Sequence, residues 1–273
     1  LVVLDDVGQD KVSGYGVHPL APPTPTVDRL FADGLRFDRA YAHPTCSPSR
    51  AALLTGRLPS RTGVGRWILG SQDTWGLQRG EVTIAELAAS AGWSTAAVGK
   101  WHVAAPGPEA ALDPNLQGFE HFRGILDNPL VPVALPRSPD PGYYEWERVV
   151  DGEASTSTAY LTTQQVDAAI RATQTLPEPY FLYVGFSAAH HPLHVPPADL
   201  FRTAQPDDDA GLADAMIEAL DTELGRLVDA LDPDDTLLVV ADNGTAGDLV
   251  RPPSDPDRSK GTPYTGGLHV PLL

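Results

Sequence analysis

At 273 residues the chain is long enough to bury a sizeable core, and it fits one large α/β domain better than two small ones. Its formal net charge of -17 repels nucleic acid and acidic membrane surfaces, so an anionic substrate would need a local positive site. No uninterrupted apolar stretch approaches the roughly 20 residues that span a bilayer, and a lone cysteine excludes an intrachain disulfide.

The chain starts with Leu1-Val2-Val3-Leu4-Asp5-Asp6, which reads as a strand already under way, without initiator Met or signal-like segment. It reads as an excerpt. Any targeting sequence would lie upstream, so the compartment stays open.

Next, apolar residues at three- and four-residue spacings predict helices over Thr26 to Ala32, Pro48 to Leu54 and Thr83 to Ala91. A short apolar run, Thr95 to Val98, predicts a buried strand. Pro106 to Gly152 is rich in Pro, Gly and Asp and has no clean period, so it reads as a long surface excursion near the site. A helix over Thr162 to Thr175, a strand over Tyr180 to Phe186, a helix over Leu212 to Leu231 and a strand over Thr236 to Ala241 come next. Asp248 to Pro263 reads as a second irregular stretch. Strands alternating with helices give the fold class: α/β, with a mostly parallel central sheet flanked by helices.

A polar cluster stands after each of the four strands. Asp5-Asp6 comes after the first, Gly99-Lys100-Trp101-His102 after the second, His190-His191 after the third, and Asp242-Asn243-Gly244 after the fourth. Ligands of open parallel sheets bind beyond the carboxyl ends of the strands, so these clusters are expected to meet at one edge. Asp5, Asp6, Asp242 and Asn243 offer only oxygen donors, the set a hard divalent cation selects. Any one of them alone would read as a turn residue; two adjacent pairs after two apolar strands point to a metal.

Cys46 precedes Ser47, a good N-cap, and Pro48, which suits the first helical position. This places Cys46 just before a helix N-terminus, where free N–H groups and the helix dipole favour an anion, with Arg50 in the first turn to orient it. A buried, inert thiol is the competing reading. The only lysines are Lys11, Lys100 and Lys260. Lys11 is expected on the surface. Lys100, held between Gly99 and Trp101 after a buried strand, is not, and Lys260 reads on spacing alone as a loop lysine before Gly266-Gly267. His102 and His190 stand two to four residues beyond strands, where a general acid or a donor to an oxyanion could act near neutral pH. The remaining histidines, His43 near Cys46 included, read as structural.

These residues resemble the sulfatase family of the alkaline-phosphatase-like superfamily. Cys46-Ser47-Pro48-Ser49-Arg50-Ala51-Ala52-Leu53-Leu54-Thr55-Gly56-Arg57 is similar to the family signature. Asp5-Asp6, Thr24 to Leu30, Gly99 to His102, His190 with Pro192, Asp242 to Gly244, and Lys260 through Gly267 fall in family order, so the resemblance covers essentially residues 1–273 as one catalytic domain.

The resemblance implies that a separate formylglycine-generating enzyme oxidises Cys46 to Cα-formylglycine, whose hydrate is the nucleophile. It implies a divalent metal, Ca²⁺ with Mg²⁺ as the alternative, held by Asp5, Asp6, Asp242, Asn243 and modified Cys46. Arg50 and Lys100 would hold and activate the hydrate, His102 would assist, and His190 and Lys260 would bind sulfate and protonate the leaving oxygen. The substrate would be a small-molecule or carbohydrate sulfate ester. Phosphonate monoester or phosphodiester hydrolysis and non-catalytic anion binding are the alternatives. The chain departs from the family at Thr265, often Glu, and His269, often Arg. It also stops at Leu273, before the family's usual smaller C-terminal subdomain, so truncation is expected at that end too.

Overall fold

A computed structural model describes residues 1–69, 74–129, 142–203 and 206–273. The chain divides into two compact units, one of Leu1 with Cys46–Gly185, the other of Val2–Thr45 with Phe186–Leu273.

In the second unit β1 (Val2–Leu4) pairs in parallel with β7 (Val239–Ala241), Val3 opposite Val240, and all six residues are buried. Beyond β1 the ladder continues irregularly: the Phe186 N–H donates to Val3 O, and the Ala189 N–H to Asp5 O. The helices are α1 (Pro25–Asp33), α7 (Asp209–Ala230) and the short α8 (Thr265–Leu268). Helix α1 has Pro at its start and no side-chain cap of its own. Asp221 of α7 takes that role, accepting from the Thr26 and Val27 N–H groups at 2.9 and 3.0 Å. These N–H groups have no intrahelical acceptor, so the carboxylate satisfies them and docks the two helices.

In the first unit the strands among the described residues run in the order β5-β4-β3-β2-β6. β2 (Ser94–Lys100) lies parallel to both β3 (His121–Ile125) and β6 (Tyr180–Gly185), while β4 (Trp146–Val150) and β5 (Glu153–Ser157) add an antiparallel hairpin. The helices are α2 (Cys46–Thr55), α3 (Pro59–Thr62), α4 (Ile84–Ser90), α5 (Asp113–Leu116) and α6 (Leu161–Thr175). Thr83 caps α4 through a reciprocal box with Glu86. A mostly parallel arrangement flanked by helices is thus the fold class that alternation predicts.

Three expectations are corrected. Described parts of Pro106 to Gly152 contain β3, β4 and α5, so the stretch holds regular elements between its irregular parts; residues 130–141 lie outside the described ones. Ser47 is no N-cap: α2 starts at Cys46, and Ser47 Oγ accepts from the Ile68 N–H at 3.0 Å. Lys11 is buried, at 3% exposure, because Asp214 of α7 meets its ammonium at 2.6 Å. An unpaired buried ammonium would be costly; this one shares Asp214 with Arg251, which also binds Asp208.

Candidate functional site

In the second unit the chain turns sharply as it leaves β1. Asp6 has φ 61, a left-handed conformation that Asp tolerates better than most residues. Successive strand side chains point to opposite faces; the turn breaks that alternation and lets neighbouring carboxylates converge. Asp5, Asp6 and Asp242 each bring a carboxylate oxygen within 4.8 Å of the others, and all three are buried. The Asn243 amide donates to Asp6 Oδ1 at 2.7 Å and to Gly244 O at 2.9 Å. Its own Oδ1 is buried without a hydrogen-bond partner among the described residues. A buried, unmatched carbonyl oxygen beside three carboxylates fits a hard divalent cation, which supplies the missing positive partner.

Lys260 also reaches this cluster, its ammonium lying 2.6 and 2.7 Å from the two Asp6 oxygens. It is no solvated loop lysine. The Lys260 N–H is anchored on Thr245 O, and the Gly261 N–H on Pro44 O. Close packing explains part of the Gly-rich motif: a Cβ at Gly244 would stand 1.9 Å from Gly266 O. His190 brings a ring nitrogen within 4.8 Å of an Asp6 oxygen. Its Nδ1 faces His191 O at 2.8 Å, and since a carbonyl only accepts, Nδ1 carries the hydrogen.

In the first unit Cys46 is buried at the start of α2. Arg50, one turn on and fully buried, donates from Nη1 to Lys100 O at 2.7 Å and to Tyr183 Oη at 3.3 Å. This approach depends on three glycines in register, Gly124, Gly99 and Gly185 on β3, β2 and β6. A Cβ at Gly124 would lie 1.9 Å from Gly99 O, one at Gly99 2.0 Å from Gly185 O, and one at Gly185 2.4 Å from Lys100 O and 2.9 Å from Arg50 Nη1.

Lys100 is fully buried and donates from Nζ to Asn128 Oδ1 at 2.7 Å. His102, at φ 63, repeats the left-handed turn of Asp6. Its Nε2 lies 3.0 Å from Ile68 O and 3.1 Å from Asp127 Oδ1. Burial first, and the Lys100 charge second, push this imidazole below its ordinary value, against the opposing pull of Asp127 and Ile68. Burial alone would raise the Asp127 carboxyl. The hydrogen bond and charge of His102, the Asn128 N–H and Lys100 outweigh it and hold Asp127 below the usual carboxylate range.

Asp127 and Asn128 are therefore part of the site, and sequence reasoning missed both. The usable signal was an Asp-Asn pair just after a strand, the same pattern as Asp242-Asn243, but the strand itself was not recognised. Elsewhere, His18 faces the Arg251 and Pro252 carbonyls, and His269 meets Asp38 O and stacks on Tyr41. Both have structural partners.

Parallel strands flanked by helices, with carboxylates gathered beyond the strands of one unit and, in the other, buried Lys100 at a strand's end and buried Arg50 in the first turns of a helix, define an alkaline-phosphatase-like α/β protein. The sulfatase family profile matches residues 1–273, and the chain belongs to the sulfatase family. It is 33% identical to human arylsulfatase A over 313 residues and 30% identical to pig N-acetylgalactosamine-6-sulfatase over 304 residues, alignments that cover 100% of this chain. The chain spans 57% and 56% of those proteins. Among solved structures, Ps i-CgsB in complex with k-i-k-neocarrahexaose superposes with a TM-score of 0.82 at 28% identity, covering 100% of this chain and 64% of that one. No helix among the described residues is long and apolar enough to cross a membrane.

Proposed function

We propose that the chain hydrolyses sulfate esters to an alcohol and inorganic sulfate, with Cys46 matured by a formylglycine-generating enzyme. The observation that carries this reading is the oxygen-only cluster of Asp5, Asp6 and Asp242 with the unmatched Asn243 Oδ1. These residues would hold Ca²⁺ or Mg²⁺, with the matured position 46 as the further ligand that the resemblance implies. When bound, the cation supplies charge stabilisation, and the matured residue supplies an aldehyde hydrate as nucleophile.

The chain's own residues account for the rest. A sulfate ester is anionic and its departing oxygen gains negative charge, so Arg50, Lys100 and Lys260 stabilise the transition state more than the ground state. His190 and Lys260 bind sulfate and give the departing oxygen its proton. His102 takes a proton from the hydroxyl left at position 46, so that the aldehyde returns and sulfate leaves with the bonding electron pair. Buried positive groups also reconcile an anionic substrate with a net charge of -17.

The substrate class fits a sulfated carbohydrate or aryl sulfate. The relatives named arylsulfatase and N-acetylgalactosamine-6-sulfatase, and the neighbour solved with a neocarrahexaose, support that range. The test has two parts. Intact mass should show the Cys46 CH₂SH converted to CHO in protein from a host with maturation machinery, and that protein should release sulfate from an aryl sulfate. Faster turnover of an aryl phosphonate or phosphodiester, or matured protein that releases no sulfate, would overturn the reading.

A further inference from the structure

The two ring nitrogens of His102 stand in unlike settings. Nε2 faces two oxygens, the Ile68 carbonyl at 3.0 Å and the Asp127 carboxylate at 3.1 Å, and neither has a hydrogen to give. Nε2 must carry the hydrogen itself. Nδ1 is buried with no hydrogen-bond partner among the described residues, so in a neutral ring it presents a bare lone pair. The ring has little freedom to trade these roles. It is fully enclosed, and the preceding Trp101 is pinned through Nε1 to Asp113 at 2.7 Å.

We propose that Asp127 is a positioning residue for the hydrolysis: it locks His102 in the Nε2–H tautomer, so that Nδ1 is the atom that accepts the proton of the substituent at position 46. This rests on the sulfate-ester reading for its catalytic consequence, but the tautomer itself is a ground-state property. The choice of carboxylate is what matters. An Asn in its place offers an amide hydrogen to Nε2 and so makes the opposite, Nδ1–H form accessible, which leaves no acceptor where one is needed. In the serine-protease triad the same exchange lowers turnover about 10⁴-fold. Here Ile68 O still favours Nε2–H, so a fall on the order of 10²-fold is expected.

The experiment is nitrogen-resolved NMR on ¹⁵N-histidine protein, with the His102 signals assigned by their loss in His102→Gln. Near neutral pH the wild type should show a protonated Nε2 and an imine-type Nδ1. Asp127→Asn should move both signals towards the Nδ1–H form, with kcat on an aryl sulfate falling on the order of 10²-fold and KM within about threefold. A wild-type His102 in the Nδ1–H form overturns the proposal, and that measurement does not depend on whether the variant folds. Unchanged nitrogen signals in folded Asp127→Asn overturn it as well. The expected tautomer in matured protein that releases no sulfate would sink the hydrolysis reading and leave the tautomer assignment standing.

Discussion

The two units solve opposite electrostatic problems with the same piece of backbone. In the second, a strand runs into a left-handed Asp6, and an Asp-Asn pair stands just beyond the neighbouring strand β7. In the first, β2 runs to a left-handed His102, and an Asp-Asn pair stands just beyond the neighbouring strand β3. The Asn side chain is used in reverse. Asn243 donates its amide hydrogen to the Asp6 carboxylate, while Asn128 turns its carbonyl oxygen to the Lys100 ammonium. An amide has both faces, so one dipeptide serves a carboxylate-rich site and a cation-rich site alike.

The comparison is most directly broken on the carboxylate side. Asp242→Ala, or treatment of the wild type with a strong chelator, should reduce sulfate release below about 1% of the untreated level. Added Ca²⁺ should raise the melting temperature of the wild type and leave that of Asp242→Ala unmoved in calorimetry. On the cation side, Lys100→Ala should lower kcat by about 10²–10³-fold, as loss of one transition-state donor does, without touching the Ca²⁺ response. If the Ca²⁺ response vanished there too, the two sites would not be separable. Steady-state kinetics and calorimetry on the same preparation decide it.

The shared backbone is only half legible in the sequence. β1, β2, β6 and β7 can be read because their residues are apolar and short runs of that kind have few other uses. β3 escapes because His121-Phe122-Arg123-Gly124-Ile125 mixes an exposed His, a half-buried Arg and a Gly, which looks like a loop in composition. The Gly is there for a reason invisible to periodicity, the close approach to Gly99. Without β3 there is no strand end to draw attention to Asp127 and Asn128, so both pass as ordinary turn residues. Lys11 is misjudged for a different reason: its partner Asp214 lies 203 residues away, and nothing local announces it.

Smaller effects sharpen the picture. Gly185→Ala should destabilise the fold by about 1–3 kcal/mol in chemical denaturation, the usual penalty for overpacking, since the new methyl would meet backbone and the Arg50 guanidinium. Acid should weaken the first unit. His102 and Asp127 both hold values below their ordinary ones, so the unfolded chain binds more protons than the folded one as pH falls through each unfolded value. The His102 contribution is fully present above about 6.5 and drains below it, and that of Asp127 drains in turn below about 4. Melting temperature against pH should therefore be flatter between pH 7 and 5 in His102→Gln than in the wild type. At the small end, Arg57→Ala removes an exposed ion pair with Glu81 and should change stability by no more than about 1 kcal/mol.

The distribution of lysine has a practical consequence for chemical labelling. Lys11 and Lys100 are sealed at 3% and 0% exposure, and the Lys260 side chain is open to only 19%. An amine-directed acylating reagent applied to the folded protein thus meets a single partly reachable lysine side chain. That side chain sits on Asp6. The extent of acylation, read by peptide mapping, becomes a gauge of what occupies the carboxylate cluster, without any need for turnover.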